Sequence, residues 1–212
     1  MSRLLETIRV SMYRAFWLEW HFRRVLFSTG SERTARAIIG LASSIVHRET
    51  GRTIRCPGRY RLSIEYEHDT LIRYTITPYA RRQVFACVAC EPRDASHRLI
   101  EYRLKYADRS ALNETARNLA TGVEPLYVRN GLVLEARYAN VAFLHRGQWF
   151  TPRTVMHAGT ARARLLGSGI LQEADIYRAE LCDFDAMCFV NAMLDPGELV
   201  ISPNRVHTLP SA

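Results

Sequence analysis

The sequence predicts a mixed α/β (α+β) fold in two lobes, and three observations carry that expectation. Helical and strand periodicities alternate along the chain instead of segregating into one class, which is the pattern of mixed architectures. An apolar fraction of 48% over 212 residues is enough for one substantial core or two smaller ones. A polar run, EPRDAS at 91–96, then interrupts the periodic segments. It reads as a connector between a small N-terminal lobe, residues 1–97, and a larger C-terminal lobe, residues 98–212.

The elements follow in order. Residues 3–10 begin like a strand, and 17–28 give an amphipathic helix carrying Trp17, Leu18, His21, Val25 and Leu26. Ser31 can accept from the free N–H groups at the start of a second helix, which runs to about His47. YRLSIEY at 60–66 and LIRYTIT at 71–77 alternate at strand period around the turn EHD, which is a hairpin signal. VFACVAC at 84–90 reads as a further strand. Beyond the connector the pattern predicts a strand over 98–104, a helix over about 109–120 and a strand over 125–129 that turns at Asn130-Gly131. Strands over 132–136, 139–145 and 148–151, a helix from about 160 to 167 and a strand near 187–192 complete the reading.

Composition narrows the class. No run of about 18 apolar residues is present to span a bilayer, and Arg3, Glu6 and Arg9 break the apolar core that a signal peptide needs. A cytoplasmic protein is expected. Five cysteines, an odd number, do not make a secreted-type disulfide framework. The formal charge of +8 calls for an anionic partner, whether nucleic acid, membrane surface or a small phosphorylated or carboxylated ligand. Of the 29 basic residues, 28 are arginine and one, Lys105, is lysine. Arginine replaces lysine in solvation and most ion pairs, but it cannot deprotonate near neutral pH and so cannot form an imine. The single exception therefore points to a place where an amine is needed, unless an arginine-biased genome left it by chance.

Cys87 and Cys90 have CxxC spacing, but no second pair or histidines complete four ligands, so no metal is expected. No GxGxxG, P-loop or GxSxG is present. Lys105 ends an apolar strand-like stretch, where partial desolvation would favour its neutral, nucleophilic form. About thirty residues on, Glu135 precedes a polar segment and an apolar strand, and a carboxylate so placed needs a cationic partner. Gly159-Thr160-Ala161-Arg162 opens a helix, whose free N–H groups and dipole suit a phosphate. Each feature also has an ordinary structural explanation: a rim lysine, a salt-bridged glutamate, a capped helix start.

Their order and spacing add more. LKYADRSALNE (104–114), NGLVLEARYANVAFLHRGQWFTP (130–152), HAGTARARLL (157–166) and CFVNAMLD (188–195) together resemble the fold-type IV pyridoxal phosphate enzymes. That group comprises the class IV aminotransferases, among them the branched-chain and D-amino-acid aminotransferases, and aminodeoxychorismate lyase. In the N-terminal half, Glu6-Thr7-Ile8-Arg9 and His21-Phe22-Arg23-Arg24 are similar to the family pattern more thinly. Two departures stand out. The chain starts at the ETIR strand, where family members carry an earlier hairpin, so a D-amino-acid aminotransferase-like fold shortened at the N-terminus is expected. Ser110 occupies the position five residues after the lysine where branched-chain enzymes have tyrosine.

The resemblance implies that Lys105, in the C-terminal lobe, holds pyridoxal 5'-phosphate as a Schiff base. It implies that Glu135 pairs with the pyridine nitrogen and that Arg24, with the N–H groups of Thr160 and Ala161, holds the phosphate. Asn191, Ala192 and Met193 would close the far side of that site. Family members are dimers, so a homodimer acting on a small amino or keto acid is implied. The expected activity is that of an aminotransferase in which Lys105 also shuttles the proton at Cα. The alternative is a 4-amino-4-deoxychorismate lyase releasing pyruvate, and a remoter one is a non-catalytic basic protein that binds nucleic acid.

Overall fold

The computed structural model describes residues 3–208, which fall into two compact units. The first comprises residues up to Arg81 together with Leu104–Asp108, and the second Arg82–Arg103 with Arg109 onward. The first unit thus closes before the break expected at residue 97, and it takes in the segment bearing Lys105, which had been expected in the C-terminal lobe.

In the first unit, β1 (Leu4–Ser11), β2 (Arg14–Ala15), β3 (Tyr60–Glu67) and β4 (Thr70–Pro78) form an antiparallel sheet in the order β2-β1-β3-β4. Two helices, α1 (Leu18–Thr29) and α2 (Glu32–Glu49), accompany it. Ser31 caps α2 as predicted, its Oγ accepting from Thr34 N at 3.1 Å. Leu4, Ile8 and Val10 of β1 and Leu62, Ile64 and Tyr66 of β3 share a core with Ile38, Ala42 and Ile45 of α2. Burial contributes about 1.5–3 kcal/mol for each large aliphatic side chain in such a core. Residues 104–108 are bound to the start of β1: Leu5 N donates to Lys105 O and Ala107 N to Arg3 O, both at 2.9 Å, and Leu4 bridges Tyr106. Leu104 and Tyr106 pack against the core, and this packing fixes the backbone that carries Lys105.

The second unit contains two sheets. One orders β13 (Val206–Thr208), β5 (Ala86–Cys90), β6 (Val123–Arg129) and β7 (Leu132–Ala136). The other orders β10 (Leu171–Ala174), β9 (Gln148–Pro152), β8 (Asn140–His145), β11 (Ala186–Val190) and β12 (Val200–Ile201). The predicted turn joins β6 to β7, with Asn130 at φ 52 and Gly131 at φ 79, the pair of left-handed residues that a two-residue hairpin loop demands. The helix α4 (Thr160–Gly167) lies where the pattern put it.

Two of the expected elements differ in the structure, and four short strands are additional. Residues 98–104 form no strand; Ile100 and Tyr102 are buried, but the only pairing in the stretch is a lone bridge from Leu99 to Arg93, so the alternation has no partner strand. The helix expected over 109–120 shrinks to α3 (Ser110–Glu114). Thr115 Oγ1 donates back to Leu112 O at 2.8 Å and meets Tyr127 Oη at 2.9 Å, and the chain goes on in tighter turns, with Arg117 N bonding Glu114 O. The short strands β2, β10, β12 and β13 were not anticipated.

Candidate functional site

Glu135 is the central group of the second unit. It lies on β7, flanked by Leu134 and Ala136, and is 7% exposed. Its Oε2 accepts from His157 N at 2.9 Å and from Asn140 Nδ2 at 3.2 Å, and the Met156 backbone N–H also bonds the carboxyl. Among the described residues no cation pairs with it; Arg109 and Arg162 act only as background charges. Burial therefore dominates and pushes its pKa up to about 8, against the pull of those hydrogen bonds. A carboxyl held so is suited to share a proton with a basic ring nitrogen.

Asn140 connects this carboxyl to α4. Besides Glu135 it donates to His157 O at 3.0 Å, and its Oδ1 accepts from Gly159 N at 3.1 Å. Gly159 leads into Thr160 and Ala161, both buried, and no side chain caps the helix start. A Cβ on Gly159 would collide with Asn140 Oδ1, which is why a glycine stands here. Asn191 lies past the end of β11, donating to Tyr138 O at 3.3 Å and accepting from Met193 N at 2.8 Å. It thus forms its own small turn with Ala192 and Met193. The structure brings Glu135, Asn140, His157 and the start of α4 together by direct bonds.

The first unit holds Lys105 and Arg24. Lys105 is half-buried on the segment fixed to β1, and its charge is felt by His21. Arg24 is buried and grips Glu6: Nε donates to Oε1 at 2.8 Å and Nη2 to Oε2, which His21 Nδ1 also reaches. Burial alone would raise the Glu6 carboxyl, but Arg24 and His21 override it and hold Glu6 well below the usual carboxylate range. Burial lowers the His21 pKa, keeping the ring neutral. In the sequence, Glu6, His21 and Asn140 stand only as members of the family-like motifs, with no role of their own. Glu6 was recognisable, because it falls on the buried register of β1 with Leu4, Ile8 and Val10, where a carboxylate requires a cation.

Cys87 is buried and Cys90 half-buried, and burial pushes their thiols up to about 12 and about 11, so both are neutral and unreactive. Among the described residues no three histidine, cysteine, aspartate or glutamate side chains are grouped to hold a metal ion, and no helix is long and apolar enough to cross a membrane.

Residues 70–195 match the family described as amino-transferase class IV. The chain belongs to that family. As a class IV aminotransferase family member it is an enzyme dependent on pyridoxal phosphate. An uncharacterized protein of Haemophilus influenzae is 33% identical over 136 residues, covering 63% of this chain and 68% of that one. Among solved structures, a provisionally named 4-amino-4-deoxychorismate lyase from Haemophilus somnus is similar at a TM-score of 0.72 and 24% identity, covering 91% of this chain and 97% of that one. A fold IV transaminase from Curtobacterium pusillum gives 0.72 at 18% identity, covering 91% and 76%. A hypothetical aminotransferase from Mycobacterium tuberculosis, solved with alpha-ketoglutarate and PMP bound, gives 0.70 at 18%, covering 99% and 84%. These likenesses establish the fold, fold-type IV.

The class IV cofactor suits the residues present. Glu135 offers a buried carboxyl with no cation of its own, and α4 offers a helix start that no side chain caps.

Proposed function

We propose that the enzyme is an aminotransferase acting on a small amino acid and keto acid, with Lys105 as the residue that bonds the aldehyde of pyridoxal phosphate. When bound, the cofactor supplies an electron-accepting ring. The observation that carries the reading is Glu135, buried, without a cation and raised to about 8. Beside a basic ring nitrogen it keeps that nitrogen protonated, and the ring nitrogen supplies the missing cation. Arg24, oriented by its two bonds to Glu6, and the N–H groups of Thr160 and Ala161 hold the phosphate. Asn191, Ala192 and Met193 complete that seat. Once substrate takes its place, the Lys105 amine is free to remove the proton from Cα and return it. A cytoplasmic homodimer is the assembly inferred by family likeness, and sedimentation checks the dimer.

A second reading, 4-amino-4-deoxychorismate lyase, is favoured by Ser110. It is exposed at the start of α3 and puts no phenol five residues after the lysine. The solved relative from Haemophilus somnus also carries that name provisionally. One experiment separates the two. With an amino donor and no acceptor, a transaminase converts its cofactor once to the pyridoxamine form and stops. Catalytic release of pyruvate from aminodeoxychorismate without an acceptor would instead establish the lyase.

A further inference from the structure

The second unit contains a cleft of about 300 Å3, a volume suited to a small ligand. Its lining divides by chemistry. Ile100, Leu134 and Met156 are apolar, and Arg103, Arg129 and Thr154 supply donors.

Arg129, at the end of β6, is the informative member. Its Nε is shut off from solvent with no hydrogen-bond partner, and among the described residues no carboxylate pairs with its guanidinium. Arg129 as a whole is half-buried; unlike it, half-buried Arg137 pairs with Glu124 at 2.9 Å and buried Arg162 pairs with Glu173 at 2.7 Å. Glu101, the carboxylate in the lining, is exposed and makes no ion pair with Arg129. A guanidinium cannot shed its charge near neutrality, and a buried donor left unmatched is costly. The side chain is therefore poised for an anion that the protein itself does not supply.

We propose that this cleft binds a small monocarboxylate with a short apolar body. The carboxylate bonds Arg129, with Arg103 and Thr154 as further donors, and the body lies against Ile100, Leu134 and Met156. A bare inorganic anion would leave those three side chains uncovered, which is why the ligand has an apolar part.

Isothermal titration with butyrate, its uncharged counterpart butyramide, and inorganic phosphate tests the proposal. Butyrate binds saturably, and butyramide does not. Arg129→Met weakens butyrate binding about tenfold or more, the loss expected for a charge-assisted hydrogen bond. Thr154→Trp, at an exposed position, obstructs the cleft and does the same while leaving the fold unchanged by circular dichroism. Lys105→Ala leaves butyrate binding intact, separating this cleft from the cofactor site. The proposal is overturned if butyrate fails to saturate, if both cleft variants bind it as the wild type does, if Lys105→Ala abolishes binding, or if phosphate competes at equal affinity.

Discussion

Replacing Glu135 by glutamine in the cofactor-free protein should change how stability depends on pH, in a direction fixed by the environment of this carboxyl. Its folded pKa of about 8 lies above the ordinary value of 4.5. Between those values the folded state binds the proton and the unfolded state does not, so the contribution is fully present at acid pH and is lost as pH rises toward 8. Each pH unit in that window is worth about 1.4 kcal/mol, which makes the loss from pH 5 to 8 at most about 4 kcal/mol. Glutamine cannot ionise. Urea denaturation of both proteins at intervals from pH 5 to 9 therefore shows similar stability at pH 5, with Glu135→Gln pulling ahead by a few kcal/mol at pH 8. Taking the difference between the two curves cancels the other titrating groups. A gap that stays constant with pH would refute the reasoning, since it would mean that Glu135 ionises in the folded protein as it does in water.

Two further predictions concern the groups around the proposed cofactor site. Glu6→Ala leaves buried Arg24 and His21 without their shared carboxylate; a loss of about 3–5 kcal/mol in urea denaturation is expected, and a loss under 1 kcal/mol would contradict the description of this triad. Gly159→Ala drives a methyl group into Asn140 Oδ1 and so disturbs the link from α4 to Glu135. Pyridoxal phosphate affinity, followed by absorbance, falls about tenfold or more if that link costs about 1.4 kcal/mol, and unchanged affinity would show that the site accommodates the methyl.

Local chemistry made much of this fold legible. The β3–β4 hairpin, the Ser31 cap and the Asn130-Gly131 turn each depend on residues adjacent in sequence, and each was read correctly. What escaped depends on partners far along the chain. The stretch 98–104 alternates like a strand, yet a strand exists only where another supplies its hydrogen bonds. The segment bearing Lys105 belongs to the first unit because it bonds to the backbone at Arg3 and Leu5, about a hundred residues earlier. The short strands β12 and β13, of two and three residues, carry too little pattern to be recognised. Glu135, Thr160 and Ala161 are singled out by motifs in the sequence, whereas the ring of bonds that Asn140 makes from Glu135 to Gly159 carries no local signal, because it depends on the loop at His157 folding back on β7 and β8.

The most direct measurement is borohydride reduction of the protein incubated with pyridoxal phosphate, followed by proteolysis and mass spectrometry. One stable adduct is expected on the peptide containing Lys105, absent from Lys105→Ala. An unmodified Lys105, or an adduct confined to the N-terminal amine, would contradict it.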